Sequence, residues 1–571
     1  MANTINTQYI KSPQKRNSKI LKDGKENASP KNSLQLKRGK SSTIENKQYL
    51  RKICLEFQSI NSDQERIQVL KEIQYFVHHT NAKYDMELVC NIATNMINYL
   101  DQVSTHRDGS NVGIISVIFS ILVNLFQNFQ EEDLTFFKLH GAELLEKCVI
   151  VCKSVREDCK DTFICDLVQL LEILSRLNAE EMKLKMADNE FFLDILNDVF
   201  DSDELDMSVK YYAVQVFKNI SCYDENERSK IVEHEGLMKA FIDFYMFYDH
   251  DEPDTESISL IVLNLSLCSH TKVRLVEIES IIDMLLNLCN ETMQTRKNAI
   301  AACGNLILQE ENRLTLLTHN DGSMIDAMEN ILRGEEESVI QRRVARIVRY
   351  CCDETTVKLM MNHGSIVETC CIVALGNTSI EVRAETIDTL ACFAFYSNET
   401  SSDYEKILSA LVKIGKTSTQ PKCINNIMKS FNKISLKERH RRPMVKCRDL
   451  LNVIGSTLSS NDSSSLALEQ ASNTLYNLSQ DENAREFMVT HNLLRVMIDV
   501  GLKKVSNACA LSIYHVNMAL VNMTKSEFTR QIMSDEKDLI QCLMTFVQSS
   551  NIAIDSKEAA KSAILNLVPL I

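Results

Sequence analysis

The chain contains no tryptophan, and its 571 residues include only six prolines and 14 glycines. Proline and glycine end or weaken helices and form the turns between strands, so their scarcity argues against a turn-rich β protein. No alternating apolar and polar run between turn clusters marks a strand. The composition therefore predicts an all-α protein made of nearly continuous helix.

Long apolar runs are scarce as well. The apolar run at residues 114–126 is too short to span a bilayer and contains Asn124. The first residues lack the apolar segment of a secretory signal. We therefore expect a protein of the nucleus, the cytoplasm or both that is not secreted, with its 19 cysteines as free thiols.

The sequence also lacks the common motifs of catalysis and metal binding. It has no Gly-rich phosphate loop, no HExxH and no Gly-x-Ser-x-Gly. Its cysteines cluster in two places without forming paired C-x-x-C knuckles. We interpret them as core thiols and expect no enzyme activity, no cofactor and no metal site; the two clusters are Cys148, Cys152, Cys159 and Cys165, and Cys351, Cys352, Cys370 and Cys371 with His363 nearby.

What the chain does contain is a repeat. A helical phrase ending in Asn and an apolar residue recurs at intervals of about 44 residues, with weaker echoes around Tyr350 and Ala394. A fixed period in this range is typical of a solenoid, in which each unit buries its apolar face only by stacking on its neighbours. The recurring Asn residues are Asn124, Asn219, Asn264, Asn305, Asn432, Asn477, Asn522 and Asn566.

A second signal lies 17 residues after three of these Asn residues, where Gly141, Gly236 and Gly322 stand in similar contexts. Glycine tolerates the positive φ of a sharp corner between helices. The predicted unit is therefore a helix, a Gly corner, a second helix, a turn and a third helix that ends in the Asn phrase.

This unit resembles the armadillo repeat, with the related HEAT repeat as the structural alternative. The resemblance covers residues 100–571 and implies a right-handed α-solenoid of about ten or eleven repeats with a concave groove. We expect residues 47–571 to form the repeat domain, with 47–100 as an atypical capping unit, and residues 1–46 to form a disordered basic tail.

In armadillo proteins the Asn of the third helix typically faces the groove and binds the backbone of an extended peptide, because an amide both donates and accepts hydrogen bonds. By resemblance that role falls on Asn219, Asn264, Asn305, Asn477 and Asn522. The alternative is that these amides tie neighbouring repeats together.

The importin-α branch of the family carries a Trp four residues before this Asn, which cradles the lysines of import cargo. The corresponding positions here are Gln215, Leu260, Ala301, Asn473 and Met518. Without the aromatic surface that holds a cation, a role in nuclear import is disfavoured.

One predicted third helix carries Arg342, Arg346 and Arg349 on the side opposite its apolar stripe, and Arg346 occupies the position of the importin Trp. Such a row of guanidinium groups suits an acidic or phosphorylated peptide. The alternative is a solvated face paired with Glu335, Glu336, Glu337 or Asp353. A second basic run, at 437–442 before Pro443, is interpreted as a loop between repeats.

Charge divides the chain. Residues 1–46 contain 10 Lys and Arg and 3 Asp and Glu, a net charge of +7, so residues 47–571 carry −14 − 7 = −21. The basic tail contains Lys25-Glu26-Asn27, flanked by Asp23 and Pro30, which resembles the KEN-box degron read by the anaphase-promoting complex. Short basic and phosphorylation motifs accompany it.

Ser12-Pro13-Gln14-Lys15 resembles a full cyclin-dependent kinase site, and Ser29-Pro30 is a lesser match beside the degron. Phosphate on Ser29 would place about −1.5 to −2 charges next to it. Lys37, Arg38 and Lys40 match a short nuclear import signal.

The sequence therefore favours a non-catalytic scaffold or adaptor that binds an extended peptide, with an abundance tied to mitosis or meiosis. Two alternatives remain open: a nuclear transport receptor resembling importin-α, and a regulator of the anaphase-promoting complex that acts through its KEN motif. Nucleic acid is not an expected partner of the repeat domain.

Overall fold

The computed structural model describes residues 43–568 apart from 61, 80–85, 105–111, 128–134, 155–160, 177–179, 235, 279, 335–336, 377–378, 505–509, 537 and 550–551. Within these residues the chain forms helices and no strand. None of the helices there combines the length and the apolar composition needed to cross a bilayer. The first helix begins at Thr43, just before the predicted start of the repeat domain.

The helices group into twelve successive units over the described chain. The first three units have two helices each: α1 (Thr43–Ser59) and α2 (Asp63–His79); α3 (Met86–Ser104) and α4 (Val112–Phe126); α5 (Thr135–Ser154) and α6 (Asp161–Arg176).

Five three-helix units follow, namely α7 (Glu180–Asp188), α8 (Glu190–Asp201) and α9 (Met207–Ser221); α10 (Glu225–Glu233), α11 (Leu237–Phe247) and α12 (Glu252–Ser266); α13 (Lys272–Glu277), α14 (Ile281–Asn290) and α15 (Met293–Ile307); α16 (Glu310–Thr318), α17 (Ser323–Arg333) and α18 (Ser338–Tyr350); α19 (Glu354–His363), α20 (Ile366–Leu375) and α21 (Ile380–Tyr396).

The ninth unit has only α22 (Ser402–Thr417) and α23 (Pro421–Ser435). The last three units again have three helices: α24 (Glu438–Lys446), α25 (Arg448–Ser459) and α26 (Ser465–Ser479); α27 (Glu482–Thr490), α28 (Leu493–Lys504) and α29 (Ala510–Met523); α30 (Glu527–Ser534), α31 (Leu539–Gln548) and α32 (Ile554–Leu567).

Equivalent helices stack on one another along the chain. The last helix of each unit, called the third helix here even where a unit has only two, packs against the last helix of the next unit in an unbroken series from α2 to α32. The helices that precede them form a second series from α8 to α31. Eleven third helices end beyond residue 100. The two weaker matches to the repeat, around Tyr350 and Ala394, lie in α18 and α21. The predicted helical solenoid is confirmed.

The core runs continuously between the units. Around α8, α9 and α11, the ring of Phe200 lies 5.5 Å from that of Phe241, and Phe217 lies 4.9 Å from Phe241. All three rings are buried. Burying an aromatic side chain is worth about 1.5–3 kcal/mol, so each unit depends on the next for its stability.

The Gly corners are present at two of the three predicted positions. Gly236 has a φ of 88° and Gly322 a φ of 97°, and each begins a second helix. Gly141 lies instead within α5, where a Cβ would come 2.4 Å from the sulfur of Met182. The expectation of a corner at Gly141 is wrong, because the glycine there permits close helix packing.

The basic run at 437–442 is not a loop. Residues 438–442 lie in α24 and Lys437 caps its start; His440 and Met444, one turn apart, are both buried together with Val445. This spacing places the buried side chains on one face of the helix. Because arginines surround them in the sequence, the helical pattern is hard to recognise there. Pro443 lies within the helix without ending it.

Candidate functional site

The third helices are joined by a row of side-chain hydrogen bonds. Asn264 Nδ2 donates to Ser221 Oγ at 3.1 Å, and Asn305 Nδ2 donates to Ser266 Oγ at 3.0 Å. Each serine closes the Asn-x-Ser phrase of the preceding unit. The same bond joins Asn219 to Ser175, Asn522 to Ser479, and Asn566 to the hydroxyl of Thr524, at 3.0–3.1 Å.

Asn477 uses both of its N–H groups in this row. Its Nδ2 lies 3.0 Å from both Asn432 Oδ1 and Ser435 Oγ. Asn477 and Asn522 are each only 5% exposed. Asn219, Asn264 and Asn305 are half-buried, and within the described chain each uses one amide N–H toward its neighbour, which leaves a donor and an acceptor on each amide.

The three predicted arginines of α18 converge on one carboxylate of the next third helix. Arg346 Nε donates to Glu385 Oε1 at 3.2 Å, and Arg346 Nη2 contacts the same oxygen. Arg342 lies 3.8 Å and Arg349 3.5 Å from this carboxylate. Burial opposes the charge of Glu385, but the hydrogen bond and the charges of the arginines outweigh it and lower its pKa.

A second carboxylate extends the cluster to α23. Asp388 Oδ2 lies 3.9 Å from Arg349 and 3.3 Å from Lys429 Nζ. Burial raises the pKa of Asp388, although both cations oppose that shift. The two acids are only 14–15% exposed, whereas the side chains of Arg342 and Lys429 are 44% and 58% exposed.

This cation cluster, Arg342, Arg346, Arg349 and Lys429, therefore has four positive charges over two partly buried carboxylates. Two positive charges remain uncompensated by the acids on the third helices. Bidentate arginines and an exposed lysine can bind carboxylate or phosphate groups.

The alternative partners suggested for these arginines are wrong where the structure describes them. Glu337 lies 2.7 Å from Lys297, and Asp353 lies 3.7 Å from Arg313. Glu335 and Glu336 lie outside the described residues. The true partner, Glu385, stands 39 residues after Arg346 on the next third helix, α21, whereas the suggested partners were all close to the arginines in the sequence.

The cluster continues toward a pair of cysteines. Lys433 Nζ, on α23, lies 2.8 Å from the sulfur of Cys392 and 5.7 Å from the centre of the Phe395 ring. A hydrogen bond from Cys352 lowers the pKa of Cys392 to about 6. The charge of Lys433 acts in the same direction, whereas burial acts against both.

Other cysteines of the two predicted clusters are ordinary core residues. Cys148, Cys351 and Cys370 are fully buried, and burial raises the pKa of Cys351 to about 12. Cys165 is half-buried, and Cys159 lies outside the described residues. Within the described chain no group of three or more His, Cys, Asp and Glu residues is arranged to hold a metal ion.

The predicted tail motifs cannot be placed. Lys25, Glu26 and Asn27, the phosphorylation sites Ser12 and Ser29, and the import residues Lys37, Arg38 and Lys40 all lie outside the described residues.

No family model and no curated protein matches this chain. Solved structures do match. One, from work on a phosphorylation switch that controls the interaction between cadherin and β-catenin, is 10% identical, covers 90% of this chain and 100% of its own, and has a TM-score of 0.57. The fold is an armadillo-type α-solenoid.

Two engineered proteins are also similar. The crystal structure of one is 18% identical, covers 74% of this chain and 98% of its own, and has a TM-score of 0.52. A designed armadillo repeat protein covers 43% of this chain and 99% of its own at 15% identity, with a TM-score of 0.34. The two matches with TM-scores above 0.5, at 10% and 18% identity, show the fold alone.

Proposed function

We propose that this protein is a non-catalytic scaffold or adaptor that binds an extended, acidic or phosphorylated segment of a partner protein along its third helices. The observation that carries the proposal is the cation cluster on α18 and α23 with its two uncompensated charges. The cadherin–β-catenin structure supports it as a case in which a protein of similar fold takes part in a protein–protein interaction.

The half-buried amides of Asn219, Asn264 and Asn305 would hold the peptide backbone with their remaining donor and acceptor. Asn477 and Asn522 are almost buried, so they would contribute less to binding the peptide backbone. The arginines would select carboxylates or phosphates along the same chain. The five Asn residues and the three arginines thus form one proposed groove.

The test replaces the exposed cations and keeps the inner ion pair. Arg342→Gln with Lys429→Gln leaves Arg346 bound to Glu385, so the fold should persist. A displayed library of random 20-residue peptides, selected on the full chain, should yield acidic binders whose affinity falls about tenfold or more in this variant, because each charge-assisted contact is worth about 1.5–3 kcal/mol. Fluorescence anisotropy measures the affinity.

The matched control is Lys52→Gln with Lys561→Gln, which removes two exposed lysines from α1 and α32. It should bind like the original chain. Selection of lysine-rich peptides instead would favour the transport-receptor alternative, and equal binding by both variants would contradict the groove.

We further propose that the tail links the abundance of the protein to the cell cycle, in the nucleus, the cytoplasm or both, with a role in mitosis or meiosis. The support is the flanked Lys25-Glu26-Asn27 between Ser12-Pro13 and Ser29-Pro30. The proposed partners are the anaphase-promoting complex and a cyclin-dependent kinase.

Changing Lys25, Glu26 and Asn27 to Ala should keep the protein level high after mitotic exit in synchronised cells, measured by immunoblot with Lys11→Ala as the control. A level that is flat in both proteins would exclude a degron. Delayed exit on overexpression, lost with the triple change, would support the regulator of the complex instead.

A further inference from the structure

The ninth unit lacks its first helix. In its neighbours the first helices stack on one another, α16 on α19, α24 on α27 and α27 on α30. In the ninth unit a single helix, α22, replaces the first and second helices, so the series is interrupted between α19 and α24. A cavity of about 910 Å³ lies there, between α22 and α24.

The floor of this cavity is apolar. Leu408 and Val412 of α22 line it, and Pro443 lines the α24 side. Proline has no N–H, so the carbonyl of Arg439, one turn earlier in α24, receives no helical hydrogen bond from it. The floor thus presents aliphatic side chains from both helices.

Tyr404 adds a polar group to this floor. Its ring is 1% exposed and stacks on the ring of His440 at 4.8 Å. The hydroxyl is buried and has no hydrogen-bond partner within the described chain. Burial raises the pKa of Tyr404, so the hydroxyl stays protonated and can donate. A buried hydroxyl without a partner is costly unless a ligand supplies one.

The rim of the cavity is cationic. Five cations and three carboxylates line it, and Asp481 lies beside Arg442, which gives a net charge of 5 − 4 = +1 in a chain whose net charge is −14. Lys416 lies 2.6 Å from Asp449, Arg439 lies 3.9 Å from Glu399, and Arg442 lies 3.5 Å from Asp481. The exposed Lys413 of α22 and Lys446 of α24 both line the cavity and have no carboxylate partner among the described residues.

The cavity is elongated along α22. From Tyr404 to Lys416 this helix rises about 18 Å, the length of about five residues of extended peptide. A compact small molecule would occupy only part of such a trough. The geometry, the apolar floor and the cationic rim together match a short anionic peptide segment with an apolar anchor.

We propose that this cavity is a second docking site, separate from the third-helix groove, for a short segment of a partner protein. The segment places one aliphatic or aromatic side chain over Leu408 and Val412 and its carboxylate or phosphate groups on Lys413 and Lys446. The Tyr404 hydroxyl donates a hydrogen bond to the segment.

The test uses the full chain and a displayed library of random 12-residue peptides, selected with an excess of soluble Lys413→Glu/Lys446→Glu protein as competitor. The competitor removes peptides that bind elsewhere. The enriched peptides should combine Leu, Ile, Met or Phe with Asp or Glu. Their affinity should fall more than tenfold in the double variant, whose melting temperature should match the original because both lysines are exposed.

Three further variants sharpen the result. Tyr404→Phe removes only the hydroxyl and should weaken binding about threefold to tenfold. Lys52→Glu with Lys561→Glu makes the same charge change at the two ends of the solenoid and should leave binding unchanged. Arg342→Gln with Lys429→Gln should also leave it unchanged, which separates this site from the proposed groove.

Replacing one enriched carboxylate with phosphoserine distinguishes the two anionic sources: tighter binding indicates a phosphorylated partner, and equal or weaker binding indicates an acidic one. The proposal is overturned if no peptide survives the competitor, if basic peptides are enriched, or if the enriched peptides bind equally well after their apolar residue is changed to Ser.

Discussion

At the scale of single residues, Asp254 shows how a local environment changes the chemistry of a carboxyl. It lies in the first turn of α12, and its backbone N–H donates to the cap residue Asp251 at 3.2 Å. Burial, a hydrogen bond between the Asp254 and Asp251 side chains, and the charge of Asp251 together raise the pKa of Asp254 from 3.8 to about 7. The folded protein therefore holds this proton more tightly than the unfolded chain does.

The raised pKa of Asp254 stabilises the folded protein at low pH. The contribution of Asp254 is fully present below about pH 4 and is lost as the pH rises through about 7. Asp254→Asn cannot ionise, so its melting temperature relative to the original chain should rise between pH 4 and pH 8. Differential scanning fluorimetry across that range measures it.

Asp555→Asn, at the exposed first turn of α32, controls for the loss of a first-turn charge. A difference for Asp254→Asn that stays constant between pH 4 and pH 8, or falls, would contradict the raised pKa.

At the scale of helices, the Asn phrase joins each third helix to the next. Asn477 is the strongest case, because it donates to two oxygens of α23 and is nearly buried. Asn477→Ala should lower the free energy of unfolding by about 1–3 kcal/mol, since it leaves buried acceptors without a donor. Urea denaturation measures the loss.

Asn264→Ala is the matched comparison, because this half-buried residue makes one such bond, to Ser221. We expect a smaller loss of stability and weaker binding of the groove peptide. Unchanged stability in Asn477→Ala with reduced peptide affinity would contradict the structural role of Asn477 and leave peptide binding as its function.

Helices also show where sequence patterns fail. The period located the third helices, because the same apolar positions recur in every unit. It did not locate α24, since a run of arginines with a proline has the composition of a loop. That helix is stabilised by the burial of His440 and Met444 against neighbouring units. The sequence does not show these contacts, because they form only when the units stack.

At the scale of the whole molecule, the third helices form one unbroken series while the first helices do not. The ninth unit keeps α23 in its place between α21 and α26 but has no separate first helix. An interrupted first-helix series opens the cavity beside α22 without breaking the stack of third helices. The proposed groove and the proposed docking site therefore lie on different helix series of the same solenoid.

Charge is also distributed unevenly over the whole molecule. Residues 47–571 carry −21, yet the cation cluster and the rim of the cavity are both locally positive. Local positive surfaces on an acidic body favour anionic segments only at short range, because charges further than about 10 Å apart are screened at ordinary salt. This arrangement supports contact-dependent recognition over long-range attraction.

The sequence by itself determined the all-α class, the period, the third helices and the basic tail, because these depend on local propensity and on a repeat that recurs regardless of contacts. It also pointed to Arg342, Arg346 and Arg349. Only the tertiary structure decided that Glu385 neutralises part of their charge, that Asn477 is buried between helices, and that a missing first helix opens a cavity beside Tyr404. These features arise between units about 40 residues apart, where stacking brings side chains together that the sequence keeps separate.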